Sequence, residues 1–307
     1  MRITLIAVPY DLGREGVGSG HGPGAYLAEG VTEALADRGH DMEVVTAQRS
    51  GAFRDELQAV LEVDASVAGL VAGAVRDGRL PMVLAGNCNA TLGVRAGLLA
   101  AAGPAHFDLA TVWLDAHGDF NTPDTSETGY LDGMPLAMLT GRAFPGTWER
   151  LGGTPADERL VLHAGGRDLD PSEADALAVS GLLVVSGAEI GYRGLGEALA
   201  PALDELVRRT SGGGPGVGRP PVMLHVDIDV VDPAVAPAVQ FPSPGGLTVA
   251  ELLAAVEMTG GRFDLKALSL TSFDPAAGDR FKTFRAGLAV LTTAASVATL
   301  SARDSVR

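Results

Sequence analysis

The composition of this 307-residue chain limits its function before any motif is considered. A formal net charge of −15 argues against a surface for nucleic acid or for an anionic membrane, because both need clustered positive charge. The single cysteine, Cys88, excludes an internal disulfide and favours a reducing compartment, so a cytoplasmic location is expected. The longest uncharged stretch, 286–302, is rich in Ala, Thr and Ser and is too weakly apolar to predict a membrane span.

Short apolar runs alternate with amphipathic stretches along the chain. Runs without polar alternation are typical of parallel strands buried on both faces, and they occur at 3–8, 81–85, 109–114, 160–163, 182–185, 222–226 and 267–270. Stretches 55–76 and 197–209 carry apolar residues at helical spacing, and a further helix is expected at 90–102. The alternation predicts a three-layer α/β/α fold around a mainly parallel sheet, in one domain spanning 1–307. The glycine-rich segment 211–221 is interpreted as a surface loop within it.

Ionisable side chains follow two of the predicted strands at the point where each strand ends. In Asp115-Ala-His117-Gly-Asp119, the period of two of an extended chain places the three ionisable side chains on one side. The segment Asp227-Ile-Asp229 repeats this arrangement further along the chain. Such carboxylates cannot be buried together in ionised form unless cations neutralise them. Carboxylates with one imidazole suit a hard divalent ion such as Mn²⁺, and these five ligands are enough for two ions about 3.5 to 4 Å apart.

These two segments, together with Gly22-Pro23 and the run 242–248, resemble the motifs of the ureohydrolase family, which includes arginase, agmatinase and formimidoylglutamase. The likeness runs over nearly the whole chain. It implies an arginase-like three-layer fold with an eight-stranded parallel sheet, two manganese ions that activate water, and hydrolysis of a C–N bond in a guanidino or amidino group. It also implies a small-molecule substrate and a homo-oligomer, either a trimer or a hexamer.

The resemblance assigns metal-binding roles by position. Asp115 and Asp227 would bridge the two ions, and His117 and Asp229 would belong to the second ion. Asp119 would belong to the first ion and is counted with the catalytic residues for that reason. This assignment agrees with the convergence expected from the two strand ends.

Three positions depart from the family pattern, all at the reacting end of the expected site. Cys88 replaces a histidine that ligates the first ion in the family; either its thiolate ligates metal, or Cys88 only packs and the first site is weak or empty. Some arginase-like enzymes that act on N-hydroxyarginine resemble this chain in carrying that cysteine. Asp132 stands where most of the family has a proton-shuttling histidine, and it is either a tuned general acid or base or a solvated loop residue. Ser272 replaces the glutamate that holds the guanidinium in arginase, and Asp274 is the alternative acid.

The positions that resemble the amino-acid-binding end of arginase are better matched. Asp170 and Glu173 match two acids that hold the substrate's α-amino group, and Asn121 matches a residue that contacts its carboxylate. Thr128 falls where the family usually has a serine. The alternative is that Asp170 and Glu173 are only acids that favour a helix N-terminus.

The sequence therefore predicts a manganese-dependent hydrolase of a guanidino or amidino amino acid that is a poor arginase. Two alternatives remain. One is a deacylase-type hydrolase on the same fold that uses a single ion at Asp115, His117 and Asp227. The other is a degenerate homologue that binds metal or a ligand without catalysis. The number of bound ions separates the manganese-dependent amidine hydrolase from the single-ion deacylase. Metal binding without turnover favours the non-catalytic homologue.

Overall fold

The computed structural model describes residues 1–103, 108–210 and 218–304, with side chains described up to residue 300. Most of the expected surface loop 211–221 therefore lies outside the described residues. The strands are β1 (Arg2–Val8), β2 (Tyr10–Asp11), β3 (Arg14–Glu15), β4 (Asp41–Thr46), β5 (Leu80–Ala85), β6 (Ala110–Leu114), β7 (Val161–Ala164), β8 (Leu183–Val185), β9 (Pro221–Asp227) and β10 (Asp264–Thr271). The helices are α1 (Gly22–Ala28), α2 (Val31–Ala36), α3 (Glu56–Arg76), α4 (Ala90–Ala102), α5 (Pro135–Leu139), α6 (Thr147–Leu151), α7 (Pro171–Ala178), α8 (Gly187–Arg193), α9 (Leu195–Arg209), α10 (Val249–Arg262) and α11 (Arg280–Asp304).

Eight of the strands form one sheet in the order β4-β1-β5-β10-β9-β6-β7-β8, and every neighbouring pair is parallel. The short strands β2 and β3 form a separate antiparallel pair. The parallel sheet and its strand number are confirmed. Because β5, β10, β9 and β6 are neighbours, their carboxyl ends lie side by side at the middle of one edge of the sheet, where ligands bind in open α/β sheets.

Both faces of the sheet are covered, as the uninterrupted apolar runs predict. In β1, Ile3 and Leu5 belong to a core cluster that includes residues of α9, α10 and α11. Ile6 and Val8 belong to a second cluster that includes residues of α3 and α4. Successive side chains of a strand point to opposite faces, so two cores on one strand require helices on both sides of the sheet. The predicted α/β/α architecture is confirmed.

The sequence did not predict β4, the strand at one edge of the sheet. Four of its six side chains are exposed and two are half-buried, and its acidic residues are used at the surface. Asp41 and Glu43 lie within ion-pair distance of Arg79, and Glu43 accepts a hydrogen bond from Thr4. An edge strand beside charged side chains has no continuous apolar run, so the pattern that identified the buried strands does not apply to it.

The predicted helices are present as α3, α4 and α9. Asp55 caps α3 by accepting a hydrogen bond from the Gln58 backbone N–H at 2.8 Å. Helix α4 can lie close against α3 because Gly93 has no Cβ; a Cβ added there would lie 2.5 Å from the Asp64 carbonyl oxygen. By length and composition alone, α3 and the Arg280–Leu300 part of α11 are long and apolar enough to cross a membrane. About half of each is buried inside the fold (50% and 44%), as core helices are, and the expected absence of a membrane span stays a prediction.

Candidate metal centre and substrate cavity

The carboxyl ends of the four central strands open into a cavity of about 450 Å³. Strand β5 leads to Cys88, β6 to Asp115, β9 to Asp227, and β10 to Ser272. Of the side chains predicted for the site, those that line the cavity are Cys88, His117, Asp119, Asn121, Thr128, Asp132, Asp170, Glu173, Asp227, Asp229 and Ser272. Asp115 lies beneath them and is 1% exposed. The structure thus brings all of these residues to one place, whereas the alternative acid Asp274 lies outside the described cavity lining.

Two parts of the cavity are distinguished below. The floor comprises the strand-end side chains Cys88, Asp115, His117, Asp119, Asp227 and Asp229. The mouth comprises the loop side chains Thr128, Tyr130, Asp168, Asp170 and Phe241. All of the floor residues except His117, which is half-buried, are buried, whereas Thr128, Asp168, Asp170 and Phe241 are exposed.

Asp115, His117 and Asp229 form one compact group in the floor. His117 Nδ1 lies 3.1 Å from Asp229 Oδ2 and 3.6 Å from Asp115 Oδ1. The backbone N–H groups of His117 and Ala116 donate to Asp115 and Asp229, respectively. Burial opposes protonation of His117, but its hydrogen bonds to the two carboxylates outweigh burial and raise its pKa to about 12. Burial likewise opposes ionisation of Asp115, yet the bond to His117 prevails and lowers its pKa to about 2.

Cys88, Asp119 and Asp227 occupy the other half of the floor. The Cys88 thiol donates to Asp227 Oδ2 across 2.9 Å, and its Sγ lies 3.2 Å from Thr271 Oγ1. Burial, and then the charge of Asp227, raise the pKa of Cys88. Asp119 adopts a left-handed backbone conformation (φ 52°), and its Oδ2 is buried without a hydrogen-bond partner. This residue therefore holds a sparsely populated backbone conformation and a buried unpaired acceptor together.

The donor set of the floor fits divalent metal. Burial first, and neighbouring carboxylates second, raise the pKa values of Asp119 and Asp227 well above the usual range. Like charges that cannot ionise together without a cation are the electrostatic signature of a metal site. Two sets of three side chains have ligand atoms within 4.8 Å of one another, and they share Asp115: Asp115, His117 and Asp229 form one, and Cys88, Asp115 and His225 form the other.

His225 was not among the predicted site residues. It is fully buried in β9, and its ring packs on Trp113 with centroids 3.7 Å apart. Trp113 Nε1 in turn donates to Asp115 Oδ2 across 3.0 Å. Burial lowers the pKa of His225 to about 3, which makes its imidazole neutral. The period of two that groups Asp227 with Asp229 includes His225 as well, so the sequence does hold a signal for it.

Asp132 is not a solvated loop residue. Its Oδ2 accepts a hydrogen bond from Asn87 Nδ2 at 2.6 Å, and its Oδ1 accepts one from the Asn89 backbone N–H at 3.3 Å. Burial raises its pKa well above the usual range, and these two bonds only partly oppose that rise. The carboxyl group is therefore held in a fixed position with a tendency to stay protonated. Its catalytic role stays a prediction.

Ser272 lies in the cavity, but the alternative acid Asp274 does not. Ser272 has a left-handed backbone conformation (φ 66°), and its hydroxyl donates to Asp227 Oδ2. Asp274 is absent from the described lining, and its oxygens accept from the Ala276 backbone N–H and from Gln240 Nε2. Asp274 is therefore not placed to take over the guanidinium-binding role that Ser272 lacks. The backbone turns at Ser272, so the chain has left the cavity by the time it reaches Asp274, two residues later.

The residues expected at the amino-acid end of the substrate are linked to one another. Asn121 Nδ2 donates to Asp170 Oδ2 across 2.9 Å. Glu173 is 4% exposed, and its Oε1 accepts from the Phe120 backbone N–H at 2.8 Å. Burial raises the pKa of Glu173 to about 7. Thr128 is exposed, and its hydroxyl accepts a hydrogen bond from the Tyr130 backbone N–H. Asp170 is therefore accessible to a substrate, whereas one oxygen of Glu173 already supports the loop after β6.

The mouth contains an aromatic pair that the sequence did not indicate. Phe241 is 54% exposed, and its ring centroid lies 5.2 Å from that of Tyr130 and 6.5 Å from that of His117. Both aromatic residues are in loops, where no periodic pattern marks a side chain that faces a cavity. Asn87, Asp168 and Gln240 line the cavity and were missed for the same reason.

Among the described residues that line the cavity, none is Lys or Arg. Seven are acidic: Asp119, Asp132, Asp168, Asp170, Glu173, Asp227 and Asp229. A metal ion bound at the floor would neutralise charge there, but the acids of the mouth lie away from the floor. The cavity consequently favours a cationic ligand.

Comparisons with known proteins agree with this arrangement. A family model described as the Arginase family matches residues 1–296. The arginase of Bacillus caldovelox is 32% identical over 302 residues, which cover 94% of this chain and 96% of that protein. Arginase-1 of Mus musculus is 28% identical over 289 residues, covering 90% and 85% of the two chains. A crystal structure of arginase from Bacillus cereus has a TM-score of 0.81 and 28% identity, covering 96% of this chain and 98% of that one. With the match extending over almost all of the chain and its fold, this protein is a member of the arginase family.

Proposed function

We propose that the protein is a manganese-dependent hydrolase of a C–N bond in the guanidino or amidino group of a modified amino acid. The observation that carries the proposal is the acidic cavity, which gathers metal-ligand side chains at its floor and has no Lys or Arg in its described lining. A cationic amidine fits such a cavity, and an anionic substrate does not. Membership of the arginase family supports the reaction class.

The floor residues Asp115, His117, Asp119, Asp227 and Asp229, with Cys88, would hold one or two divalent ions. When bound, such ions lower the pKa of water and polarise the group under attack. Trp113 and the backbone N–H of His117 fix the two oxygens of Asp115, the carboxylate common to both sets of ligands. Such fixed partners hold ligands in the orientation that metal binding needs.

Asp132 is the group that supplies or accepts a proton in this proposal. Its carboxyl lines the cavity and is held by Asn87 and the Asn89 backbone. A carboxyl group with a raised pKa keeps its proton to a higher pH than an ordinary aspartic acid does and can deliver that proton to a leaving nitrogen. A shorter side chain than histidine requires the substrate to approach more closely.

Asp170 and Asn121 would bind the amino-acid end of the substrate. The Asp170 carboxylate is exposed and is oriented by Asn121, so it can accept a hydrogen bond from an α-ammonium group. Such a charge-assisted bond is worth about 1.5 to 3 kcal/mol. Binding there positions the amidine over the floor, which speeds the reaction only when the reacting group is placed correctly.

Ser272 makes arginine a poor substrate in this proposal. Its hydroxyl is donated to Asp227, so no carboxylate stands at this position to pair with a guanidinium. A less basic amidine, such as N-hydroxyarginine, loses less from the missing charge. The preferred substrate is therefore an amino acid with a chemically altered guanidino group.

Turnover by metal-reconstituted protein tests the proposal. Metal-stripped protein is loaded with Mn²⁺ and assayed for the released amine on arginine, agmatine, N-hydroxyarginine and formiminoglutamate. We expect turnover only with metal and only on amidines that present an ammonium group to Asp170 at the mouth, as the amino-acid end of arginine and of N-hydroxyarginine does. Bound metal without turnover of any amidine would contradict the proposal and favour the non-catalytic homologue. Turnover with a single ion bound would favour the mononuclear alternative.

A cytoplasmic location and a trimeric or hexameric assembly complete the proposal. The first is supported by the single buried cysteine, and the second by the resemblance to ureohydrolases. Light scattering on the purified protein measures the assembly directly. A monomeric mass would contradict that part alone.

A further inference from the structure

His225 is a buried imidazole beneath the cavity that the proposed mechanism leaves without a role. Its Nδ1 lies 2.8 Å from Thr91 Oγ1 and 2.9 Å from Ser269 Oγ. Its Nε2 is buried and has no hydrogen-bond partner among the described residues. One ring nitrogen is therefore held by two hydroxyl groups while the other has a free position. This is the arrangement of a metal-binding histidine, whose second nitrogen is usually fixed by a neighbouring group.

Two ligand-type side chains lie near the His225 ring. A ring nitrogen of His225, the Cys88 Sγ and a carboxylate oxygen of Asp115 lie within 4.8 Å of one another. Ligand atoms around a tetrahedral zinc ion, at about 2.0 to 2.3 Å from it, are about 3.3 to 3.8 Å apart. The 4.8 Å limit exceeds this spacing by only about 1 to 1.5 Å, so a modest inward movement of the three buried side chains brings them to ligating distance.

Trp113 orients two members of this group at once. Its indole packs on the His225 ring, and its Nε1 donates to Asp115 Oδ2. The imidazole and the carboxylate are thus fixed relative to one another by a single side chain. A ligand pair that is fixed before metal arrives loses less freedom on binding.

His163 provides an internal comparison. It is also fully buried, and it also has one unpartnered nitrogen, Nδ1. Its Nε2 contacts the His117 carbonyl oxygen at 2.7 Å, yet the ring belongs to neither set of closely spaced ligand atoms. Burial with a free nitrogen is therefore shared by both histidines, and proximity to Cys88 and Asp115 is what distinguishes His225.

We propose that His225 ligates, with Cys88 and Asp115, a divalent ion at the first metal position. His225 would supply the imidazole that is missing at position 88, where Cys88 stands in place of the family's histidine. The proposal rests on the metal dependence proposed above and adds the class of ion. A thiolate, an imidazole and a carboxylate suit a borderline-soft ion such as Zn²⁺ or Co²⁺, whereas the set of Asp115, His117 and Asp229 suits Mn²⁺. Binding converts the Cys88 thiol to a thiolate, and its proton is released to solvent.

X-ray absorption at the zinc edge tests this assignment without any turnover. Metal-stripped, full-length protein receives one equivalent of Zn²⁺. We expect one sulfur at about 2.3 Å together with imidazole scattering in the same zinc shell. In His225→Asn the side-chain amide takes the place of Nδ1, and Nε2 is lost. Imidazole scattering therefore disappears from the zinc shell while sulfur scattering stays. We expect the zinc affinity of this variant to fall by more than about 100-fold, which is the largest loss typical of removing a residue that only orients a ligand.

Two further variants separate His225 from the other imidazoles. In His117→Asn, the imidazole scattering that accompanies sulfur persists, because it comes from His225. In His163→Asn, the matched buried control, sulfur and imidazole both persist. Unchanged imidazole scattering in His225→Asn, or sulfur-ligated zinc without imidazole in the wild-type protein, would overturn the assignment. Sulfur without imidazole, or imidazole without sulfur, in the wild-type spectrum overturns the assignment even if a variant does not fold, and when both are present His117→Asn and His163→Asn show which histidine supplies the imidazole.

The outcomes also separate this proposal from the proposed function. Zinc bound by oxygen and nitrogen alone, without sulfur, overturns the role of His225 and Cys88 but leaves a metal-dependent hydrolase. No metal bound under any condition overturns both.

Discussion

The floor and the mouth of the cavity differ in how the fold builds them and in how they resemble arginase. The floor is made mostly of buried side chains at the ends of neighbouring strands. By the sequence resemblance its five Asp and His residues follow the family pattern, whereas Cys88, and Ser272 beside it, depart from that pattern. The mouth is made mostly of exposed loop side chains, yet by the same resemblance Asp170, and the buried Asn121 that donates to it, follow the family pattern. The comparison teaches that the departures from the family pattern gather where the reacting group is expected to lie, while the side chains expected to hold an amino acid keep that pattern.

Removal of a central floor ligand is expected to have the largest effect. Asp227→Asn keeps the shape of the side chain but removes the charge that a metal ion needs. We expect metal affinity to fall by more than the roughly 100-fold that changes around a ligand cause, with activity lost in parallel. Elemental analysis of the purified variant measures this. Asp170→Asn, the same substitution at the mouth, is the control and should retain its metal; undiminished metal in Asp227→Asn would remove the residue from the ligand set.

At the mouth, the same chemical change is expected to act on substrate binding. Asp170→Asn removes a charge-assisted bond worth about 1.5 to 3 kcal/mol, which corresponds to about a 10- to 100-fold rise in KM. Metal content should not change, because Asp170 belongs to neither set of closely spaced ligand atoms. Steady-state kinetics beside Asp175→Asn, an exposed acid on the same helix, provide the comparison. An unaltered KM would mean that Asp170 only stabilises the start of α7.

Phe241 is expected to have a smaller effect on the mouth. Its ring is half exposed, so truncation in Phe241→Ala removes little buried surface and should leave the stability within about 0.5 kcal/mol. We expect a several-fold change in kcat/KM because the ring packs beside Tyr130 and His117 at the entrance. Kinetics on substrates with and without the amino-acid end measure this. Equal kinetics for the variant and the wild type would place the ring outside the substrate's path.

An ion pair outside the cavity gives the smallest expected effect and a reference for pH dependence. Its hydrogen bonds with Arg142 lower the pKa of Glu158, so the folded state is stabilised above the unfolded pKa. That stability is lost as the pH falls through the lowered folded pKa. Arg142→Gln should cost about 0.5 to 1 kcal/mol near pH 7, and the difference from wild type should vanish in strong acid.

Urea denaturation at a series of pH values measures this difference. Arg38→Gln is the control, because Arg38 donates to the Ala34 carbonyl oxygen and forms no ion pair with an acidic side chain among the described residues. A difference between Arg142→Gln and wild type that persists in strong acid would show that the arginine acts through packing on Phe120 and not through Glu158.

Much of the floor could be predicted from sequence because strand geometry is regular. The period of two grouped Asp115 with His117 and Asp119, and a parallel sheet brought Asp227 beside them. His225 obeys the same period, but an imidazole inside an apolar strand looks like a core residue until its free Nε2 is visible. The edge strand β4 was missed because only buried strands have uninterrupted apolar runs.

The mouth could not be predicted in the same way. Phe241 and Tyr130 meet through loops whose path depends on long-range packing and not on a repeating pattern. The same limit applies to Asp132, whose hydrogen bonds to Asn87 and Asn89 join segments far apart in sequence. Asp274 lies outside the cavity because of the direction the chain takes after Ser272. The spacing of two residues between Ser272 and Asp274 does not predict that direction.

The comparison of kcat/KM for N-hydroxyarginine and arginine on Mn²⁺-loaded protein tests the central claim most directly. In the proposed function both substrates bind through their common amino-acid end, so a difference between them reports on the side chains around the reacting group. Because Ser272 offers no carboxylate to a guanidinium and Asp132 replaces a histidine, we predict that N-hydroxyarginine is the better substrate. Arginine as the better of the two, with kcat/KM above about 10⁴ M⁻¹s⁻¹, would contradict the account.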